Sequence, residues 1–127
     1  MSRVPRVAVV LGATDDPSRD SYKAIMSFQG EGYTVLPVNP MLDRIAGMPV
    51  VHCLEDVEGP VSILSVYVKY VSLFTAAIVR LRPRCVVFNS GVLSDHLEHV
   101  LRAEGIRFVR DCTLRLLADG GMERFLD

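Results

Sequence analysis

The stretch "RVAVVLGATDDPSRDSYKAI", Arg6 to Ile25, decides the fold. Its first six residues, Arg6 to Leu11, carry after the arginine a continuous apolar run rich in β-branched valine, short enough to be a strand buried on both faces. Gly12 ends the run and allows a sharp turn. The polar segment that follows reaches Asp20 or Ser21, either of which can cap a helix carrying Ile25 and Phe28 on one face. Strand, glycine turn and helix in that order form the first half of a βαβ unit.

The pattern repeats along the chain. "QGEGY" ends the first helix, and "YTVLPV" reads as a second strand closed by Asn39-Pro40. The next twenty residues are irregular, with a turn of helix at "LEDV" before Gly59-Pro60. Val61 to Val68 is a third β-rich run. Phe74, Ala77, Ile78 and Leu81 recur at helical spacing until Pro83. "CVVF" is a fourth strand, and Ser94 or Asp95 caps a helix with Leu97, Val100 and Leu101 that ends at Gly105. "IRFV" supplies a fifth strand and "TLRLL" a terminal helix. Alternating strands and helices with continuously apolar strands predict an α/β fold. Right-handed crossovers make it a Rossmann-like, doubly wound, mostly parallel five-stranded sheet with helices on both faces. In such sheets ligands sit beyond the carboxyl ends of the strands, here at loops 12–21, 39–44, 67–72 and 89–94.

Composition narrows the function. At 127 residues, half of them hydrophobic, the chain makes one domain with a substantial core. Net charge of −1 and a pI near 6.3 argue against nucleic acid as the main partner. No segment has the apolar length of a membrane span, and "MSRVPR" lacks a signal-peptide core, so a cytoplasmic protein is expected. Cys53, Cys85 and Cys112 are an odd set without CxxC spacing, which suggests neither a disulfide framework nor a zinc site.

The turn after the first strand suits a phosphate, because amides at a helix start are unpaired and partly positive. Gly12 permits close approach, Arg19 can supply a bidentate guanidinium, and Ser18 or Ser21 a hydroxyl. The competing reading is a solvated arginine beside capping serines. A dinucleotide fingerprint is not present: GxGxxG is reduced to Gly12, and neutral Asn39 stands where an NAD site expects an acid. GxxxxGK[ST] is absent too, which excludes an ordinary P-loop.

"GATDDPSRDSYKAI" followed by "GYTVLPVNP" resembles the small single-domain CoA-binding proteins, which are similar to the CoA-binding domain of the succinyl-CoA synthetase alpha subunit. "FNSGVLSD" and "VRDC" are weaker echoes of the same family. The resemblance implies a Rossmann-like domain that binds coenzyme A or an acyl-CoA. Gly12, Ala13, Thr14, Pro17, Arg19 and Ser21 would lie at the phosphates, and Asn39 and Pro40 near the adenosine. Arg44 is the nearest cation to that corner, Lys69 the charge kept after the third strand, and Gly91 part of the fourth-strand turn. The family tends to show Phe-Arg-Arg where this chain reads "YVKYVSLF". A small-molecule ligand is thus the expected partner, without evident catalysis by this chain. The alternatives are a component of a CoA-dependent ligase with a separate catalytic chain, and a regulatory or structural relic without CoA.

Other reactive residues read as structural. His96 and His99, three apart beside Asp95 and Glu98, look like an exposed polar face without a third metal ligand. His52 has no carboxylate partner visible in the sequence. Cys85 belongs to a core strand, and Cys112 is expected to be a buried structural thiol rather than a nucleophile. The acids of "LEDVE" and of the "MERFLD" tail read as solvated surface.

Overall fold

The structure, a computed structural model, describes residues 5–126. Met1 to Val4, most of the stretch read for a signal peptide, and Asp127 of the tail lie outside them. The elements run β1 (Val7–Leu11), α1 (Asp20–Gly30), β2 (Thr34–Val38), β3 (Arg44–Ile45), β4 (Met48–Pro49), β5 (Ile63–Val66), α2 (Thr75–Leu81), β6 (Cys85–Phe88), α3 (Asp95–Glu104), β7 (Phe108–Arg110) and α4 (Thr113–Ala118). Short 3-10 turns lie at Leu54–Asp56, Val71–Phe74 and Gly121–Phe125.

The main sheet has the order β2-β1-β5-β6-β7, with every neighbouring pair parallel. Alternate residues of β1 explain the two layers. Val9 and Leu11 enter a core with Leu54, Ile78, Leu97 and Leu101 from the α2–α3 side. Ala8 and Val10 face Ile25, Phe28, Leu116 and Met122 from the α1–α4 side. A strand buried on both faces has no polar position, hence the uninterrupted run. The chain leaves β1 for β2 on one side and later for β5 on the other. This reversal opens a crevice between the carboxyl ends of β1 and β5.

The region read as irregular contains a small antiparallel hairpin, β3 with β4. Ile45 is buried beneath it, in the α1–α4 core. The expected third strand shrinks to Ile63–Val66, and the fifth shifts to Phe108–Arg110. Only the part in register with β1 and β6 earns ladder hydrogen bonds; apolar flanks such as Val61 and Val68 pack from loops. The tail is not plain solvated surface. Met122 and Leu126 are buried, and Glu123 receives two guanidinium bonds from Arg6 at the start of the sheet.

Candidate functional site

Gly12 leaves β1 with φ +90°, a region that side chains rarely enter. A Cβ there would lie 3.1 Å from Val68 Cγ1, 3.2 Å from Val68 N and 3.3 Å from Tyr67 C. The Tyr67 amide donates to Leu11 O at 2.9 Å, and the Ala13 amide to Val38 O at 3.1 Å. The turn is therefore clamped between the tips of β5 and β2. Buried Ala13 is part of the clamp, with its side chain in the core.

Beyond the clamp the loop organises itself around Asp16. Its Oδ1 accepts from the Ser18 amide at 3.0 Å and the Ser18 hydroxyl at 2.8 Å, and its own amide donates to Thr14 Oγ1 at 3.2 Å. The Ser18 amide, then its hydroxyl, hold the Asp16 carboxyl below its ordinary value. Pro17 is exposed on this loop. Arg19 reaches only within 3.8 Å of Asp16 and leaves 74% of its side chain in solvent.

Helix α1 begins without a side-chain cap, contrary to the expected role of Asp20 or Ser21; Arg19 occupies the cap position. The first-turn amides thus keep their unsatisfied donors. Gly12, Thr14, Ser18, Arg19, Asp20, Ser21 and Tyr67 surround a cleft of about 460 Å³. Donors and a guanidinium face an anion there, but Asp20 also lines the cleft and opposes one.

The remaining expected residues are spread along the same edge. Asn39 spends its side chain on structure: Nδ2 donates to Ala13 O at 2.8 Å, while Oδ1 accepts from the Met41 and Leu42 amides. Pro40 and Met41 are exposed beside it. Arg44, on the hairpin, donates to Gly47 O at 3.1 Å. Lys69 sits over the Tyr70 ring at 5.4 Å. Gly91 has φ +87° and lines a second hollow of about 380 Å³, with Asn89, Ser90, Val92, Arg110, Asp111 and Cys112 among its neighbours.

Sequence reading missed the polar bolt under these loops. Asn89 donates to Val66 O at 3.0 Å and to Ser65 Oγ at 3.3 Å, and accepts from the Thr113 amide at 2.8 Å. Ser65 and Thr113, both fully buried, share a 2.8 Å hydroxyl bond. Three strand and helix ends are thereby joined. The Tyr67 hydroxyl lies nearby, closed to solvent and without a well-formed hydrogen bond. Burial pushes its phenol up to about 12, against the pull of the Thr113 and Ser65 hydroxyls. A serine inside an apolar run was the only available signal.

Three local readings are corrected. Cys112 is exposed at the start of α4, because the backbone turns outward after β7. His52 Nε2 lies 2.9 Å from Asp43 Oδ1, a partner brought by the hairpin and hidden from linear spacing. Cys85 is fully buried as expected. Ser94 does precede α3, yet its hydroxyl donates to Glu98 Oε2 at 2.6 Å instead of capping the backbone. Arg110 ties that nearly buried Glu98 to Asp95. Among the described residues no group of three His, Cys, Asp or Glu could hold a metal, and no helix is long and apolar enough to cross a membrane.

Residues 6–118 match the family described as CoA binding domain. The chain belongs to that CoA-binding family. The uncharacterized protein YneT of Bacillus subtilis (strain 168) is 29% identical over 118 residues, spanning 91% of this chain and 87% of YneT. A solved Thermus thermophilus protein, cell-free ID.343, is 31% identical with a TM-score of 0.81, over 95% of this chain and 90% of that one. The dinucleotide forming acetyl-coenzyme A synthetase 1 of Ca. Korarchaeum cryptofilum shares the fold at TM-score 0.70 and 20% identity. The match spans 84% of this chain but only 25% of the synthetase. This CoA-binding domain thus has the Rossmann-like sheet expected from its sequence.

Proposed function

We propose that this domain binds coenzyme A or an acyl-CoA, with the diphosphate at the β1–α1 turn and the adenosine beside Asn39-Pro40. The observation that carries the reading is the uncapped start of α1 at the β1–β5 crevice, with the solvent-exposed Arg19 guanidinium, 3.8 Å from Asp16, beside it. Membership of the CoA-binding family supports the choice of ligand. Phosphate oxygens accept from backbone amides and from a forked guanidinium, and both donor types line this cleft. The chain's own residues then bind and orient the ligand. The fold's occurrence as a quarter of an acetyl-CoA synthetase favours, as a second reading, work beside a separate catalytic chain.

Two substitutions test the diphosphate placement in opposite directions. Arg19→Ala should weaken CoA by about 1–2 kcal/mol, near the low end for charged hydrogen bonds because the side chain is exposed. Asp20→Asn should tighten CoA by roughly 2- to 5-fold, since an acid in the first helical turn competes with the phosphate for the same positive pole. Calorimetric titration at low salt measures both. Unchanged affinity in Arg19→Ala together with weaker binding in Asp20→Asn would remove the diphosphate from this turn.

A further inference from the structure

Five large apolar side chains are exposed among the described residues, and three gather at one place on the ligand end of the sheet. Tyr70 and Leu73 lie in the turn after β5, with 59% and 83% of their surface in solvent. Leu93, 55% exposed, follows β6, and its amide donates to Lys69 O at 2.8 Å, which ties the two loops together. None of the three is needed to fill the core. We propose that this face takes the aliphatic acyl chain of a CoA thioester, so that the domain prefers acyl-CoA to free CoA. The inference rests on the CoA reading above and adds the class of ligand.

Position argues for a chain attached to the ligand in the phosphate cleft. Tyr67 lines that cleft, and Tyr70 and Leu73 lie three and six residues further along the same loop. The tips of β5 and β6 stand about 5 and 10 Å from that of β1, at ordinary strand spacing. An arm leaving the β1–α1 turn toward β6 passes the tip of β5, where this loop begins. Beside it lies a hollow of about 380 Å³ with Val92 and Leu93 on its apolar side and Ser72, Asp95, His96 and Arg110 on its polar side. Size argues against a protein partner. Three side chains offer at most a few hundred Å², within the patch tolerated on monomers at about 300–600 Å². A stable interface needs about 800 Å² per partner. The Lys69 ammonium is held over the Tyr70 ring, which leaves the leucines free to meet hydrocarbon, and Arg110 and Asp95 in the hollow are paired with each other.

The test is calorimetric titration of the full chain with CoA, acetyl-CoA, butyryl-CoA and hexanoyl-CoA. A methylene half-buried on an open face should tighten binding about twofold, half the free energy of full burial. Hexanoyl-CoA, four methylenes longer, should therefore bind about fifteenfold more tightly than acetyl-CoA. The double variant Leu73→Asn, Leu93→Asn should flatten the series and leave the affinity for free CoA unchanged, since both side chains point into solvent. A flat series in the wild type with CoA still bound would overturn the acyl proposal alone. A steep series untouched by the double variant would move the acyl chain elsewhere and equally overturn it. A wild-type dimer that the double variant converts to monomer, with a flat series, would make the face a self-interface. Absence of binding by every one of the four ligands would instead defeat the CoA reading itself.

Discussion

Replacing Gly12 with alanine separates two costs that coincide at this residue. The first is backbone strain: φ of +90° disfavours any side chain, by about 1–2 kcal/mol. The second is the approach of β5. A new methyl would press on Val68 N and Tyr67 C at 3.2 and 3.3 Å, and backbone atoms cannot swing aside as a side chain tip can. The Tyr67–Leu11 hydrogen bond at 2.9 Å holds that backbone in place, so relief requires stretching the β1–β5 ladder. Overpacking of this kind costs about 1–3 kcal/mol, for a total of about 2–5 kcal/mol. Gly32→Ala is the internal control. Gly32 has φ +88° but nothing within 4 Å of an added Cβ, so it should lose only the strain, about 1–2 kcal/mol. Urea denaturation of the three proteins, with equal slopes, measures both losses. Equal destabilisation by the two substitutions would refute the close-approach argument. A Gly12→Ala protein that keeps wild-type stability would refute both parts.

Two further expectations concern titratable groups. Thiol labelling under native conditions should reach Cys53 and Cys112 and spare Cys85, whose thiol burial pushes up to about 12; rapid native labelling at Cys85 would contradict the buried assignment. Cys53 should react sluggishly for an exposed thiol, because Asp56 accepts its S–H and raises its pKa. Asp111 is held below the ordinary 3.8 by the Arg115 guanidinium first and the Cys112 amide second. A depressed carboxyl stabilises the fold above its unfolded value and loses that contribution as pH falls through the folded one. Asp111→Asn should therefore lower stability by a constant amount from pH 5 to 7, with the gap closing below pH 4. A gap that persists undiminished at pH 2 would assign the loss to something other than charge.

The alternation of apolar strands with amphipathic helices was legible in the chain because a doubly covered strand reads as a nearly continuous apolar run and a helix repeats its apolar face. "RVAVVLG" and "CVVF" therefore announced a parallel sheet, and Gly12 its first sharp turn. Strand ends were less legible, because pairing register decides where a β-rich run stops being a strand. Ile106 and Arg107 fall outside β7, while Arg110 falls inside. The hairpin Arg44–Pro49 has strands of two residues, too short for any periodic signal.

The candidate site divides in the same way. Gly12, Thr14, Ser18, Arg19, Asp20 and Ser21 share one cleft because a tight turn keeps neighbours together, whereas Ala13 turns into the core and Pro17 stands exposed on the loop. What depended on distant pairing emerged only in three dimensions. Asn39 has its hydrogen-bonding capacity claimed by Ala13 and its own turn. Tyr67 entered the cleft because β5 lies beside β1. Cys112 turned outward because α4 starts where Asn89 anchors Thr113. Sequence alone determined the class of fold and the sharp turn at Gly12, since both follow from local periodicity and backbone chemistry. Tertiary structure decided which polar groups remain free for a ligand, since a hydrogen bond formed across fifty residues of chain leaves no trace in their spacing.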